Sequence, residues 1–199
     1  ALSEVGDTEA IVDDLVALLT GPSAEAAQSA VYGLAAIGAS AVDRLIPLLD
    51  YEGDVLRYAA HALGEMGTQA DEAESALRDT LKNENPVIRR RVAEALGNCQ
   101  GSEVYLTVPA LVEMFTDSED RVRRAAAGSA ARLSGQLGAD ASSDLIQALK
   151  TALSNENRYV RGLAAKALEG IRTPEALEIV IDWLHVSRWC PLTTAESPF

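Results

Sequence analysis

Residues 54–67, with the sequence DVLRYAAHALGEMG, contain the unit from which most of this chain is built. Apolar side chains fall at helical spacing within it, at Val55, Ala59, Ala62, Leu63 and Met66. One face of the predicted helix is therefore apolar, and most of its side chains are small. Such a face buries too little surface to hold a lone helix in water. The stretch is expected to pack against further copies of itself.

Four more copies of this unit lie along the chain. They are AAQSAVYGLAAIG (26–38), IRRRVAEALGNC (88–99), VRRAAAGSAARL (122–133) and VRGLAAKALEGI (160–171). Their equivalent first residues lie 29 to 38 residues apart along the chain, at Ala26, Val55, Ile88, Val122 and Val160. A period of this size is typical of a solenoid of stacked helix pairs.

Each copy is preceded by a further amphipathic segment. The pattern predicts, for each repeat, a first helix, a short Asp-, Asn- and Glu-rich turn, a second helix and a Gly-containing link. Pro47 lies inside the first helix of repeat two and is expected to kink it. Repeat four has a longer link, SGQLGAD (134–140), so the curvature is expected to change near Gly135 and Gly138.

A last leading helix is predicted from Pro174 to about Val186. We expect it to cap the stack, with Leu177, Val180 and Leu184 facing inward and Trp183 beside them. The Pro-, Ser- and Thr-rich residues 187–199 have no helical period and are expected to form an irregular tail. Residues 1–186 are thus interpreted as one solenoid domain.

Three of these motifs resemble HEAT-repeat proteins of the short, Ala-, Leu- and Gly-rich type found in phycobilisome lyases: DVLRYAAHALGEMG (54–67), VRRAAAGSA (122–130) and VRGLAAKALEG (160–170). The resemblance covers residues 8–186. It implies an all-α fold, a right-handed α-solenoid of about five helix pairs plus a C-terminal capping helix, with the second helices on the concave side. Such proteins are mostly scaffolds and adaptors, although the lyase-like group also includes enzyme subunits and regulatory domains.

Composition narrows the classes of partner. The net charge of −13 and the pI of about 4.5 oppose non-specific binding to nucleic acid or anionic membranes. Neither a leader nor an apolar run long enough to span a membrane is apparent, and two cysteines, Cys99 and Cys190, do not form a disulfide framework. These features favour a cytoplasmic protein whose partner is another protein; self-association through the open ends of the solenoid is a further expectation.

Basic residues concentrate in or beside the second helices, which hold 12 of the 17 Lys and Arg. In three repeats an Arg follows an Asn or Asp of the preceding turn by six residues, in the pairs Asn83 and Arg89, Asp117 and Arg123, and Asn155 and Arg161. We expect these pairs to form a structural ladder of hydrogen bonds. In repeat two the residue six after Asp50 is Leu56, so the ladder is expected to be interrupted there.

Other positions on the second helices vary between repeats and are interpreted as an exposed, protein-binding concave face. The candidate residues are Tyr32, Arg57, Tyr58, His61, Arg90, Arg91, Glu94 and Arg124. Tyr and Arg are enriched at binding hot spots. The predicted partner is a protein with an acidic or mixed-charge surface, and His61 is interpreted as a surface residue.

Catalytic, metal-binding and cofactor-binding residues are not assigned. His61 and His185 lie about four repeats apart and have no Cys or carboxylate companion at ligand spacing. The favoured function is a non-enzymatic scaffold. Two alternatives stay open: a bilin lyase-like subunit, which would hold tetrapyrrole propionates on the Arg residues, and a regulatory or accessory domain of a larger enzyme, which the irregular tail suggests.

Overall fold

The computed structural model describes residues 2–99 and 101–189, and the side chains of residues 8–99 and 101–186. Within these residues the regular structure is entirely helical. The helices are α1 (Leu2–Thr20), α2 (Ala24–Ile37), α3 (Val42–Leu45), α4 (Gly53–Met66), α5 (Glu74–Thr80), α6 (Pro86–Cys99), α7 (Val104–Glu113), α8 (Asp120–Leu133), α9 (Ser143–Ala152), α10 (Arg158–Ile171) and α11 (Pro174–Trp189).

These helices form five successive pairs, followed by α11, which packs on α10. We number the pairs as repeats one to five; α1, α3, α5, α7 and α9 are the outer helices, and α2, α4, α6, α8 and α10 are the inner helices. Short 3-10 segments extend several outer helices, including Ile46–Asp50 after α3, Gly67–Ala73 before α5 and Met114–Thr116 after α7. The predicted all-α solenoid of five pairs with a terminal helix is confirmed.

Successive inner helices pack against each other more closely than successive outer helices do. Glycines permit this approach at two points. A Cβ atom on Gly64 would lie 3.0 Å from Cα of Ala95, and one on Gly97 would lie 2.3 Å from Oγ of Ser129. Close inner spacing and wider outer spacing bend the stack, so the inner helices line its concave face.

Local signals begin and end the helices as the sequence indicates. The Ser23 hydroxyl and the Asn157 amide oxygen cap α2 and α10. Gly38, with φ of 74°, follows the end of α2 in the left-handed region that glycine tolerates. At Pro47, where a kink was expected, the helix changes type: the α-helix ends at Leu45, and the 3-10 segment Ile46–Asp50 contains the proline. The long link of repeat four folds as two 3-10 turns around the buried Leu137.

One face of α11 differs from the prediction. Ala176 and Ile179 are buried against the solenoid, whereas Leu177 and Leu184 are each 38% exposed. The expected inward residue Val180 and its neighbour Trp183 are partly buried against the core, and the small Ala176 takes the buried position that was expected for Leu177. The helix also extends to Trp189, so residues 187–189 are helical where an irregular tail was expected. The remaining tail residues, 190–199, lie outside the described part of the chain.

The stretch Ala24–Asp50 has the length and apolar composition of a membrane span, by those two criteria alone, contrary to the sequence-based expectation. In the structure it is divided among α2, α3 and two 3-10 segments. Val31, Leu34 and Leu45 from this stretch are buried in the core that joins repeats one and two. Its apolar character is therefore used in packing between repeats.

Candidate protein-binding face

Arg89 joins repeats three and four. Its Nε and Nη2 atoms donate to the two carboxylate oxygens of Asp117 at 2.7 and 2.9 Å. The Arg89 and Asp117 side chains are only 13% and 5% exposed. These hydrogen bonds lower the pKa of Asp117 and raise that of Arg89. The pair is therefore a charged, largely buried cross-link between neighbouring turns.

The same arginine also binds its own turn, and this second contact recurs in the later repeats. Nη1 of Arg89 donates to the backbone carbonyl oxygen of Asn83 at 2.9 Å. Arg123 and Arg161 make the equivalent bonds, to the carbonyl oxygens of Asp117 at 2.7 Å and Asn155 at 2.8 Å. The predicted ladder is confirmed in its spacing, but the acceptor six residues earlier is the backbone rather than the side chain.

The turn side chains have a different task. Oδ1 of Asn83 accepts from the N–H of Asn85, and Oδ1 of Asn155 accepts from the N–H of Asn157, each at 2.9 Å. They shape the turn whose carbonyl oxygens then receive the guanidinium group. In repeat two the interruption is confirmed, because Leu56 occupies the arginine position and is buried.

The first group of candidate residues surrounds His61. The Tyr32 ring meets the imidazole edge-to-face, with centroids 5.9 Å apart. Tyr32 is 54% exposed, but the His61 side chain is only 12% exposed, so its interpretation as a surface residue is wrong. Burial, and then the nearby charge of Arg91, lower the pKa of His61, while Glu65 at 3.4 Å partly opposes them. His61 is therefore a neutral packing residue near neutral pH.

Tyr58 is also buried, with 6% of its surface exposed, which corrects the expectation that it lies free on the concave face. Its hydroxyl lies 3.5 Å from the carbonyl oxygen of Ala24 on the neighbouring inner helix. The Arg57 guanidinium lies over the Tyr58 ring at 4.3 Å and pairs with Asp54 at 2.8 Å. Arg57 therefore covers the Tyr58 ring, and the hydroxyl end of the ring lies beside the neighbouring inner helix.

Arg90, Arg91 and Glu94 form a group on α6. Nη1 of Arg91 lies 3.1 Å from one carboxylate oxygen of Glu94, and Nη1 of Arg90 lies 3.8 Å from the other. All three side chains are partly exposed. Because one carboxylate balances two guanidinium groups, the group retains a positive charge on the concave face.

A further exposed group lies at the start of α8 and α10. Arg124 pairs with Asp120 at 2.9 Å, and its guanidinium carbon lies 5.4 Å from the centre of the Tyr159 ring. Arg158 lies 4.8 Å from the same centre and donates to the Tyr159 hydroxyl at 2.9 Å, which lowers the pKa of Tyr159. Tyr159 is 49% exposed.

The sequence-based selection missed Tyr159, Arg158, Arg121 and Val87. The available signal was position: Val87, Arg121 and Tyr159 are each the second residue of an inner helix. A shallow cavity of about 340 Å³ lies between α6 and α8, and its lining includes Val87, Arg90, Arg121 and the exposed Glu119. We call the exposed or partly exposed residues at these helix starts the basic strip; its members are Val87, Arg90, Arg121, Arg124, Arg158 and Tyr159.

No three His, Cys, Asp or Glu side chains among the described residues are arranged to hold a metal ion. Cys99 is buried, and desolvation, with smaller effects of Glu74 and Asp71, raises its pKa to about 12. Its thiol is therefore protonated and shielded from reagents.

Comparison with known proteins identifies the repeat type. A family model described as HEAT repeats matches residues 42–132 and 129–191. None of the curated proteins matches the chain in sequence.

Three solved structures illustrate the likeness of fold. An engineered protein has a TM-score of 0.59 and 24% identity, covering 94% of this chain and 91% of that chain. The CpcE and CpcF complex of phycocyanin lyase from Nostoc has a TM-score of 0.63 and 23% identity, covering 79% and 98%. An archaeal HEAT-like repeats protein from Thermococcus onnurineus has a TM-score of 0.54 and 18% identity, covering 94% and 87%.

Proposed function

Because the chain belongs to the HEAT-repeat family, we propose that it is a non-enzymatic scaffold or adaptor that binds a partner protein on the concave face of its inner helices. HEAT solenoids commonly interact with partners through such surfaces. The binding site is the basic strip, extended toward repeat one by Arg91, Glu94 and Tyr32.

The observation that carries this proposal is the segregation of charge. The whole chain has a net charge of −13, yet Arg121, Arg124 and Arg158 are exposed together on the inner helices. Unlike Arg89, they are not enclosed in the ladder. Arg124 contacts Asp120 and the exposed ring of Tyr159, and 43% of its side chain remains exposed.

The chemistry of the strip favours an acidic or mixed-charge protein segment. Carboxylates of the partner would pair with the guanidinium groups, which bind such groups in a planar, two-pronged geometry. The rings of Tyr159 and Tyr32 and the side chain of Val87 would supply apolar contact area along the same face. Glu94 and Asp120 disfavour a uniformly acidic partner, since each would repel it locally.

The buried free thiol of Cys99 is compatible with the reducing cytoplasm, where we place the protein.

The proposal can be tested by affinity capture from lysate of the source cells with an Arg121→Glu, Arg124→Glu variant. Both side chains are exposed, so this variant is expected to fold as the unmodified chain does. The matched control is Lys82→Glu, Lys150→Glu, which makes the same change in net charge at exposed positions outside the inner helices.

A protein retained by the unmodified chain and by the control, but lost with the concave-face variant, supports the proposal. Its retention should weaken with added salt, since the contact is between charges. Equal retention by all three chains would contradict it. Recovery of a coloured tetrapyrrole instead of a protein would also contradict it and would favour a lyase-like role.

A further inference from the structure

A groove with a volume of about 550 Å³ lies between α7 and α9, among the outer helices and away from the basic strip. Its lining is mainly apolar and includes Pro109, Val112, Phe115, Leu145, Ala148 and Ala152. Its size is within the range of pockets that accept a side chain or small ligand.

The corresponding junction one repeat earlier, between α5 and α7, is held by polar contacts. Arg78 crosses it, donating from Nη2 to Glu103 at 2.7 Å and from Nη1 to Thr107 at 3.2 Å. Glu74, only 2% exposed, accepts from the Thr107 hydroxyl at 2.5 Å and from the N–H of Glu103 at 3.2 Å. These contacts tie the two outer helices together.

Apolar residues replace this network at the α7–α9 junction. Arg78 lies five residues before the turn residue Asn83, and Val112 lies five before the equivalent Asp117. Thr107 lies ten residues before the turn residue Asp117, and Leu145 lies ten before the turn residue Asn155, so these two positions are also equivalent. Val112 and Leu145 cannot form the cross-links that Arg78 and Thr107 form, and both line the groove. The groove therefore occupies the place where the earlier junction is cross-linked.

The charges on the groove have one sign. Glu113 and Asp144 both belong to its lining and are exposed, whereas the described residues that line it include no Lys, Arg or His. Among the described residues, neither carboxylate has an ion-pair partner. An occupant that brings an apolar side chain into the groove therefore gains most if it also carries positive charge at the rim.

We propose that this groove docks a basic, amphipathic protein segment, with an apolar side chain between Val112 and Leu145 and Lys or Arg residues beside Glu113 and Asp144. The inference does not depend on the concave-face function. The two surfaces have opposite charge preferences, so the solenoid can hold an acidic partner on its inner helices and a basic one between its outer helices.

The probe is a fluorescein-labelled 15-residue peptide of Leu and Lys patterned to form an amphipathic helix; a Leu and Glu peptide of the same pattern serves as the charge control. Anisotropy titrations measure binding to the full chain and to an Ala148→Arg variant. Ala148 is exposed on α9, so the added side chain fills the groove without disturbing the core. The matched control is Ala36→Arg, which places the same charge at an exposed position of α2.

Ala148→Arg is expected to weaken binding of the Leu and Lys peptide by about tenfold or more, as for loss of a hot-spot contact. Ala36→Arg should change it by less than about threefold, the size of a screened long-range charge effect. A Glu113→Gln, Asp144→Asn variant should weaken the Leu and Lys peptide and make its binding less sensitive to salt.

Equal affinity of the unmodified chain and Ala148→Arg would overturn the inference, and so would stronger groove-dependent binding of the Leu and Glu peptide. Self-association of the chain that Ala148→Arg abolishes would also overturn it, because the occupant would then be a second copy. The capture experiment uses different substitutions, so either proposal can fail while the other stands.

Discussion

Repeat two and repeats three to five of the concave face are built from the same pair of helices, but different contacts stabilise them. In repeats three to five, Arg89, Arg123 and Arg161 bind the carbonyl oxygens of the preceding turns, and Arg89 also reaches into the next repeat. In repeat two the equivalent position is Leu56, which is buried, and the packing there relies on Tyr58 and His61.

This difference shows that one solenoid position can serve either a charged cross-link or apolar packing. The exposure of aromatic residues also varies along this face: Tyr32 and Tyr159 are 54% and 49% exposed, whereas Tyr58 is 6% exposed. Residue type alone therefore does not identify the binding residues.

The largest contrast is expected between two tyrosines. Tyr58→Ala removes a buried ring and should lower the free energy of unfolding by about 3 kcal/mol. Tyr159→Ala removes an exposed ring and should cost less than about 1 kcal/mol. Urea denaturation followed by circular dichroism measures both. Similar losses for the two variants would show that repeat two and the later repeats do not differ in this way.

Arginine substitutions test whether the ladder of repeats three to five stabilises the fold more than the ion pair of repeat two does. Arg89→Met leaves Asp117 without its partner in a largely buried place, and should cost about 3 kcal/mol. Arg57→Met breaks a pair whose Asp54 side chain is 75% exposed, and should cost less than about 1 kcal/mol. The same denaturation experiment compares them, and an Arg57 effect as large as that of Arg89 would remove the distinction.

Repeat two and the ladder should lose stability in two different pH ranges. The folded-state pKa of His61 is lowered from 6.5, so the unfolded chain binds the proton more readily, and stability falls as the pH drops below about 6.5. The pKa of Asp117 is lowered from 3.8, so its contribution is present above that pH and is lost as the pH falls through the folded-state value.

Denaturation curves at a series of pH values test this order. His61→Gln should reduce the loss of stability below about pH 6.5 and leave the loss at lower pH unchanged. Arg89→Met should reduce only the loss at lower pH, which is due to Asp117. A His61→Gln variant with an unchanged slope below pH 6.5 would contradict the role given to burial.

The smallest effect is expected in the rate of Cys99 labelling, which reports on local opening of α6. In a Cys190→Ser background, Cys99 should react with a thiol reagent only when α6 opens, because the thiol is buried and its pKa is about 12. Arg89→Met should accelerate this labelling more than Arg57→Met, since Arg89 lies on the same helix as Cys99. Rapid labelling of the unmodified background would show that α6 opens freely.

Much of the architecture follows from local sequence. The recurrence of small apolar residues at helical spacing predicts the helix pairs, and the six-residue spacing from Asn83 to Arg89 predicts the ladder. Both are short-range features, so neither requires knowledge of how the repeats meet. The interruption at Leu56 is visible for the same reason.

The binding face was harder to predict because exposure depends on the neighbouring repeat. Tyr58 and Arg91 occupy the same position in their repeats, but Tyr58 is buried beside Ala24 and Arg91 stays partly exposed next to Glu94. On α11, Ala176 faces the stack in place of Leu177, because the contact with α10 decides which face of the helix is buried.

The sequence by itself determined that the chain is a helical solenoid with its basic residues on the inner helices, because hydrophobic period, turn residues and charge are properties of single segments. Only the tertiary structure decided which aromatic residues are exposed, that Asp117 receives Arg89 from the previous repeat, and that a groove opens between α7 and α9. These outcomes depend on the distance and rotation between repeats, which are set by side chains far apart in sequence.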